Sequence, residues 1–345
     1  MKPAFKPLSA QVVVVTGATS GIGLATARRA ASHGANLMLV ARNAEALAVV
    51  ADDLRRQGGR IEHAAADVAD AGQVQAAAER AIADFGGFDT WVNAAGVGSY
   101  GRIEDTPVED QRRLFDVNYW GVVHGSLAAL AHLRTRPGGG AIVNVGSVLG
   151  DQAVPMIGPY CASKHAVRGF TKALRMELAR SAPNVAVTLI KPGTIDTPFK
   201  EHVRNLVGGP MTVPPLVYAA PLVAEAIAHA ATHRVRDLTV GGSGRAVALF
   251  GQFLPTLAEP LLAAGVPLLM QDRPGNHPGD VDSLDTAGSD GRERGRFAFV
   301  RRTSLYLRAQ LAPGRSALVW AGVGGALWLA AEVASRRQSR VERRA

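Results

Sequence analysis

The chain has 345 residues, room for one α/β domain of about 250 residues and an extension. Hydrophobic residues make up 47% but aromatics only 6%, so the core must be built from Ala, Val and Leu, and a single cysteine excludes an intramolecular disulfide. Much of the net charge of +9 lies in the last stretches, "RRTSLYLRAQLAPGR" and "RRQSRVERRA", rather than interleaved with aromatics across the chain, which argues against nucleic-acid binding and toward a membrane surface.

The opening "MKPAFKPLSAQ" is basic and has no long apolar run, so no secretory signal is visible and the catalytic part is expected in the cytoplasm. Next, "VVVVTGATSGIGLATARRAASHGANLMLVARN" reads as a buried strand at 12–15, a glycine turn, a helix to about 33 and a second strand at 36–40. In the turn "TGATSGIG", Gly17 permits a sharp bend, Gly21 lets backbone approach a pyrophosphate, and Gly23 lets helix and strand pack closely. The helix N-terminus adds N–H groups and positive potential. Where dinucleotide sites often place a ribose-binding carboxylate, "LVARN" has Ala41 followed by Arg42, a guanidinium able to bind a 2′-phosphate. NADP(H) is therefore expected over NAD(H).

The alternation continues with strands at 61–65, 90–93, 141–145, 185–190 and 238–240, and with helices at 71–85, 109–134 and 159–180. This pattern predicts a parallel sheet covered by helices on both faces. Beyond about 250, "LFGQFLPTLAEPLLAAGVPLLMQ" is broken by Pro255, Pro260 and Pro267, so only short helices are expected, which either cap the core or lie on a membrane. The expected domains are a catalytic unit over 1–275, a polar flexible linker over 276–310, and an apolar helix with basic flanks over 311–345. In that last region, "SALVWAGVGGALWLAAEVA" is at the short end of a spanning helix and carries Trp320 and Trp328, so it reads as a membrane anchor or as a docking helix. Together the elements after 250 form a C-terminal helical extension.

"YCASK" places Tyr160 and Lys164 four positions apart in a predicted helix, so both project from one face. Cys161 is turned about 100° from that face and has no histidine tied to it as a base, so it reads as a packing residue. The histidines show no metal-ligand spacing, and no metal is expected.

Five motifs in order, "TGATSGIG" at 16–23, "NAAG" at 93–96, "DVNYWG" with Asn118, "VGSVLG" with Ser147, and "YCASK" followed by "KPGTIDTP", mark a resemblance to the short-chain dehydrogenase/reductase family over about residues 10–245. The resemblance implies an α/β fold with a Rossmann-type doubly wound parallel sheet and a catalytic set of Asn118, Ser147, Tyr160 and Lys164. In that set Tyr160 exchanges a proton with a substrate hydroxyl or carbonyl, with an adjacent ammonium and the oxidised nicotinamide favouring its phenolate. Ser147 orients the same oxygen, Lys164 also holds the nicotinamide ribose, and Asn118 anchors a water. It implies cofactor contacts at Gly17, Thr19, Ser20, Gly21, Ile22 and Gly23, with Arg42 beside them, and at Asp67 and Val68 near the adenine. Asn93, Ala94 and Gly96 are placed beside the ribose, together with Tyr160 and Lys164, and Pro192, Gly193, Ile195 and Thr197 at the carboxamide. The implied reaction is hydride transfer at the carbonyl or alcohol carbon of a small molecule. The apolar residues Val148, Leu149 and Val154, with the loop at 199–217, suggest a hydrophobic substrate. Relatives usually pair through helices corresponding to 109–134 and 159–180, so a homodimer or homotetramer is expected.

Overall fold

The computed structural model describes residues 4–56, 58–207, 211–212, 216–270, 282–288 and 291–312. The apolar stretch expected to be a membrane anchor or docking helix lies outside the described residues.

In chain order the elements begin with β1 (Val12–Thr16), α1 (Gly21–Ser32), β2 (Asn36–Ala41), α2 (Ala44–Arg55), β3 (Ile61–Ala65), α3 (Ala71–Phe85), β4 (Thr90–Asn93) and the short β5 (Ser99–Tyr100). They continue with α4 (Val108–Phe115), a π-helical turn (Asp116–Trp120), α5 (Gly121–Leu133), β6 (Gly140–Val145), α6 (Gly158–Ser181) and β7 (Val185–Pro192). Next come β8 (Ile195–Asp196), α7 (Phe199–His202), β9 (Arg204–Asn205), β10 (Tyr218–Ala219), α8 (Ala220–Thr232), β11 (Asp237–Val240), α9 (Gly242–Phe253), α10 (Pro255–Met270) and α11 (Leu305–Leu311). Seven strands form one sheet in the order β11-β7-β6-β4-β1-β2-β3, every neighbouring pair parallel. The order reverses at β1, and in such sheets ligands bind outside the carboxyl ends of the strands at the switch point.

Strands covered on both faces cannot alternate apolar with polar residues, which is why they read as unbroken apolar runs. Val13, Val15, Leu37 and Leu39 enter one buried cluster with α1 and α8, while Val14, Met38, Trp91 and Ile142 enter another with α3 and α5. Small residues let these layers approach, as where Ala27, Ala30 and Ala31 of α1 share a cluster with Ala226 and Ala230 of α8.

Three expectations differ from the structure. The helix expected over 109–134 is interrupted by the π-helical turn that contains Asn118. Such turns insert an extra residue into a helix and recur at functional sites. Second, α10 is a 16-residue helix with Pro260 and Pro267 inside it. The carbonyls that these prolines deprive of a donor belong to Thr256 and Ala263, both exposed, so water can satisfy them.

Third, the described parts of the segment expected to be a linker are packed against the Rossmann unit. Leu284 is fully buried, Arg204 binds Asp282 and Asp285, and Leu307 of α11 joins the main core. Burial of one such leucine contributes roughly 1.5–3 kcal/mol. The Gln310 amide also donates to the Thr239 carbonyl and accepts from its N–H, both at 2.9 Å, continuing the hydrogen bonding of edge strand β11. Gly, Pro and Asp composition signals a well-solvated backbone, but here a few apolar anchors and ion pairs suffice to hold it.

Candidate active site

A cavity of about 610 Å³ opens at the carboxyl ends of β1, β4, β6 and β7. Its floor is the turn between β1 and α1, where Gly17 has φ +68° and a Cβ would strike the backbone of Ala95. A Cβ at Gly23 would run into the Gly17 carbonyl oxygen. Both positions therefore require glycine for a close approach of backbone, the cradle expected for a diphosphate. Thr16, not singled out by motif, fixes the cradle to the next strand. Its Oγ1 accepts from the N–H groups of Ala94 and Ala95 at 3.0 and 3.3 Å and donates to the Val92 carbonyl at 3.3 Å.

At the inner end Ser147, after β6, and Tyr160 and Lys164, on the first turns of α6, line the cavity. The Ser147 hydroxyl acts on that of Tyr160 in the direction that favours the phenolate, and Ser147 Oγ accepts from the Leu149 N–H at 3.1 Å. Lys164 is only 4% exposed and donates to the Val145 carbonyl at 3.1 Å, with its Nζ 5.6 Å from the centre of the Tyr160 ring. Burial disfavours charge on both groups, pushing the Tyr160 phenol well above its ordinary value and the Lys164 ammonium down to about 8. Desolvation is the largest influence on the phenol and opposes the phenolate that the neighbouring ammonium and the oxidised nicotinamide are expected to favour.

Asn118 stands behind this wall, fully buried. Its Oδ1 accepts from the Val97 N–H at 2.8 Å, while Nδ2 donates to the Val97 carbonyl at 2.9 Å and to Ser163 Oγ at 3.1 Å. A methyl at Gly96 would stand 3.3 Å from Asn118 Oδ1 and 3.7 Å from Lys164 Nζ, so the three positions adjoin. Asn118 therefore ties the end of β4 to α6 from the π-helical turn.

Gly17, Thr19, Ser20, Gly21, Ile22, Gly23, Arg42, Asp67, Val68, Ala94, Gly96, Pro192, Gly193, Ile195 and Thr197 all line the cavity. Asn93 does not. It follows Trp91 by two residues and shares its side of β4, away from the cavity, where Nδ2 donates to Asn144 Oδ1 at 2.9 Å and Oδ1 accepts from Trp91 Nε1 at 2.8 Å. Its ribose placement is thus replaced by a structural one: a buried amide joining β4 to β6.

Cys161 is 1% exposed, packs with Tyr100, Ile157, Val203 and Met211, and has its thiol pushed up to about 11 by burial. That environment suits an inert packing residue. Among the described residues no His, Cys, Asp and Glu group could hold a metal ion.

Two parts of the lining were absent from the motif reading. Val247 of α9 with Leu262 and Val266 of α10 wall the outer cavity, facing Leu149, Val154 and Phe199, whose ring centre lies 5.3 Å from that of Tyr160. Ser283, Ala287, Gly288 and Phe297, from beyond residue 280, border the mouth. Their only sequence signal is an isolated Leu284 between aspartates in a polar run.

The glycine cradle, the Ser147–Tyr160 pair and the buried Lys164, set at the switch point of a seven-stranded parallel sheet, define a dinucleotide-binding oxidoreductase architecture. Residues 11–206 match the profile of the short chain dehydrogenase family. An uncharacterized oxidoreductase of Bacillus subtilis, YxnA, is 41% identical over 334 residues, covering 96% of this chain and 93% of that protein. A short-chain dehydrogenase/reductase from Burkholderia phymatum in complex with NAD aligns with TM-score 0.65 and 30% identity, over 74% of this chain and 97% of that one. An alcohol dehydrogenase from Thermococcus sibiricus complexed with 5-hydroxy-NADP aligns with TM-score 0.59 and 28% identity, over 67% of this chain and 96% of that one. The chain belongs to the short-chain dehydrogenase/reductase family.

Proposed function

We propose that this chain is an NADP(H)-dependent oxidoreductase acting at the carbonyl or alcohol carbon of a hydrophobic small molecule. The observation that carries this reading is that Ser147, Tyr160 and the buried Lys164 line one cavity, whose outer wall is made by Leu149, Val154, Phe199, Leu262 and Val266. When bound, the nicotinamide donates or accepts the hydride. In the reducing direction the protonated Tyr160 Oη gives its proton to the substrate oxygen, and Ser147 Oγ donates a hydrogen bond that orients that oxygen. The Lys164 ammonium stabilises the phenolate that results, and the glycine cradle with the N-terminus of α1 holds the diphosphate. Asn118 fixes the backbone between Lys164 and the cavity.

The preference for NADP(H) rests on Arg42, which follows β2 with Ala41 in the carboxylate position and lines the cavity. Relatives in complex with NAD and with 5-hydroxy-NADP are both similar to this chain, so the choice turns on that residue. The test is oxidation of NADPH and NADH against carbonyl compounds graded from small sugars to long-chain and ring ketones, beside Tyr160→Phe. Preference for apolar compounds with NADPH, lost in the variant, supports the reading. Cofactor binding without turnover of any compound would point instead to a regulatory NADP-binding protein or a membrane-tethered scaffold.

Two further expectations belong to this proposal. Trp120, Leu127 and Met176 are exposed on the π-helical turn, α5 and α6, the elements through which relatives usually pair, supporting a homodimer or homotetramer. Phe253, Leu254, Leu257, Leu261 and Leu268 are exposed on α9 and α10, beside the apolar cavity wall, supporting a cytoplasmic protein that rests on a membrane. No helix among the described residues is long and apolar enough to cross one.

A further inference from the structure

Residues 283–288 and 291–297 border the cofactor groove and already engage the groups that an NADP molecule would use. Arg42 Nη2 donates to the carbonyls of Ser283 and Thr286 at 2.6 and 3.1 Å, and Nη1 to those of Leu284 and Asp285 at 3.3 and 3.4 Å. At the N-terminus of α1, the Gly21 N–H donates to the Arg292 carbonyl at 2.9 Å. The first group would meet a 2′-phosphate and the second a diphosphate. The same segment therefore meets the chain's two principal anion-binding points.

We propose that this strap is an internal competitor of NADP(H), whose neutral carbonyls are exchanged for cofactor phosphates when the cofactor binds. The inference rests on the reading of Arg42 as a 2′-phosphate ligand. Exchange is favoured at Arg42 because four neutral acceptors surround a partly buried guanidinium whose charge burial disfavours, and a phosphate forms stronger, charge-assisted bonds. Opposing exchange are the strap's anchors. Leu284 is fully buried in the cluster that holds Ala66 and Val68, Arg113 Nε donates to the Leu284 carbonyl at 3.2 Å, and Arg204 binds Asp282 and Asp285. Arg28 with Glu293 and Arg292 with Glu201 hold the far half. A cofactor without the 2′-phosphate recovers nothing at Arg42 and leaves the 283–286 turn in place, so the competition at Arg42 falls on NADP(H).

The experiment compares the unaltered chain with Asp282→Ala/Asp285→Ala and with Leu284→Ala, measuring NADPH and NADH dissociation constants and amide exchange across 283–288 and 291–293. Loosened anchors should tighten NADPH binding by about tenfold in both variants, as expected when a competing closed state is depopulated, and NADH binding by less. In the unaltered chain, saturating NADPH should speed exchange at the Ser283 and Leu284 amides, which donate to the His202 carbonyl and to Asp282 Oδ1. Tightening confined to the aspartate variant would be simple removal of negative charge and would overturn the proposal. So would slower exchange with weaker NADPH binding in both variants, the behaviour of a clamp that grips bound cofactor. Tighter binding of NADH than NADPH by the unaltered chain would instead sink the Arg42 reading on which the proposal stands, whatever the strap does.

Discussion

The two ends of the cavity are built on different plans. At the inner end, Ser147, Tyr160 and Lys164 come from α6 and the connection that leads to it from β6, and the bonds of Ser147 and Lys164 run to nearby backbone. At the outer end, Arg42 meets acceptors 241 to 244 residues away in sequence. A constellation closed within a short stretch can be fixed by local geometry. One closed over such a separation depends on the whole chain having folded, and it can be opened without disturbing the sheet.

The sharpest way to probe the inner end is Tyr160→Phe, which should lower kcat by about a thousandfold, the scale of lost general acid catalysis, while NADPH still binds by fluorescence titration. Retained turnover would remove the phenol from the chemistry. Next is pH. Burial lowers the Lys164 ammonium to about 8, so the charged form prevails below that value and is lost above it. Carbonyl reduction should therefore fall by about tenfold per pH unit beyond roughly pH 8, and Lys164→Arg should abolish that inflection in whatever activity remains. At the outer end, Arg42→Ala should raise the NADPH dissociation constant about tenfold and leave that of NADH unchanged, a loss of about 1.4 kcal/mol. Equal weakening of both cofactors would mean that the guanidinium does not read the phosphate. The smallest effect is expected for Cys161→Ala, with kcat kept and stability in urea lowered by about 1 kcal/mol, since the thiol only packs.

The contrast between the ends also marks what the sequence discloses. The βα alternation, the glycine turn and the spacing of Tyr160 and Lys164 depend on neighbours within a few positions, and the structure places them as the periodicity suggests. Asn93 is harder to read, because its motif position is next to the cavity while the two-residue alternation along β4 turns its side chain to the other face. The phenol of Tyr160 illustrates a second limit: a nearby lysine can be counted from sequence, but the desolvation that dominates both groups cannot. Leu284, Arg204 and Gln310 mark the third. Each works through a partner far along the chain, and the composition around 282–296 resembles a solvated linker because only a few of its residues are anchors.

The Gln310 amide has a consequence for how the molecule is made. It pairs with the backbone of β11, and Leu307 beside it fills the same core as the first strands, so the last edge of the sheet is finished by residues 305–311. During synthesis, that edge stays open to pairing with other chains until residues 305–311 have left the ribosome. Cutting the chain at the end of its motif-bearing region would thus leave a protein with every catalytic group but an unsealed sheet, prone to aggregate rather than merely less active.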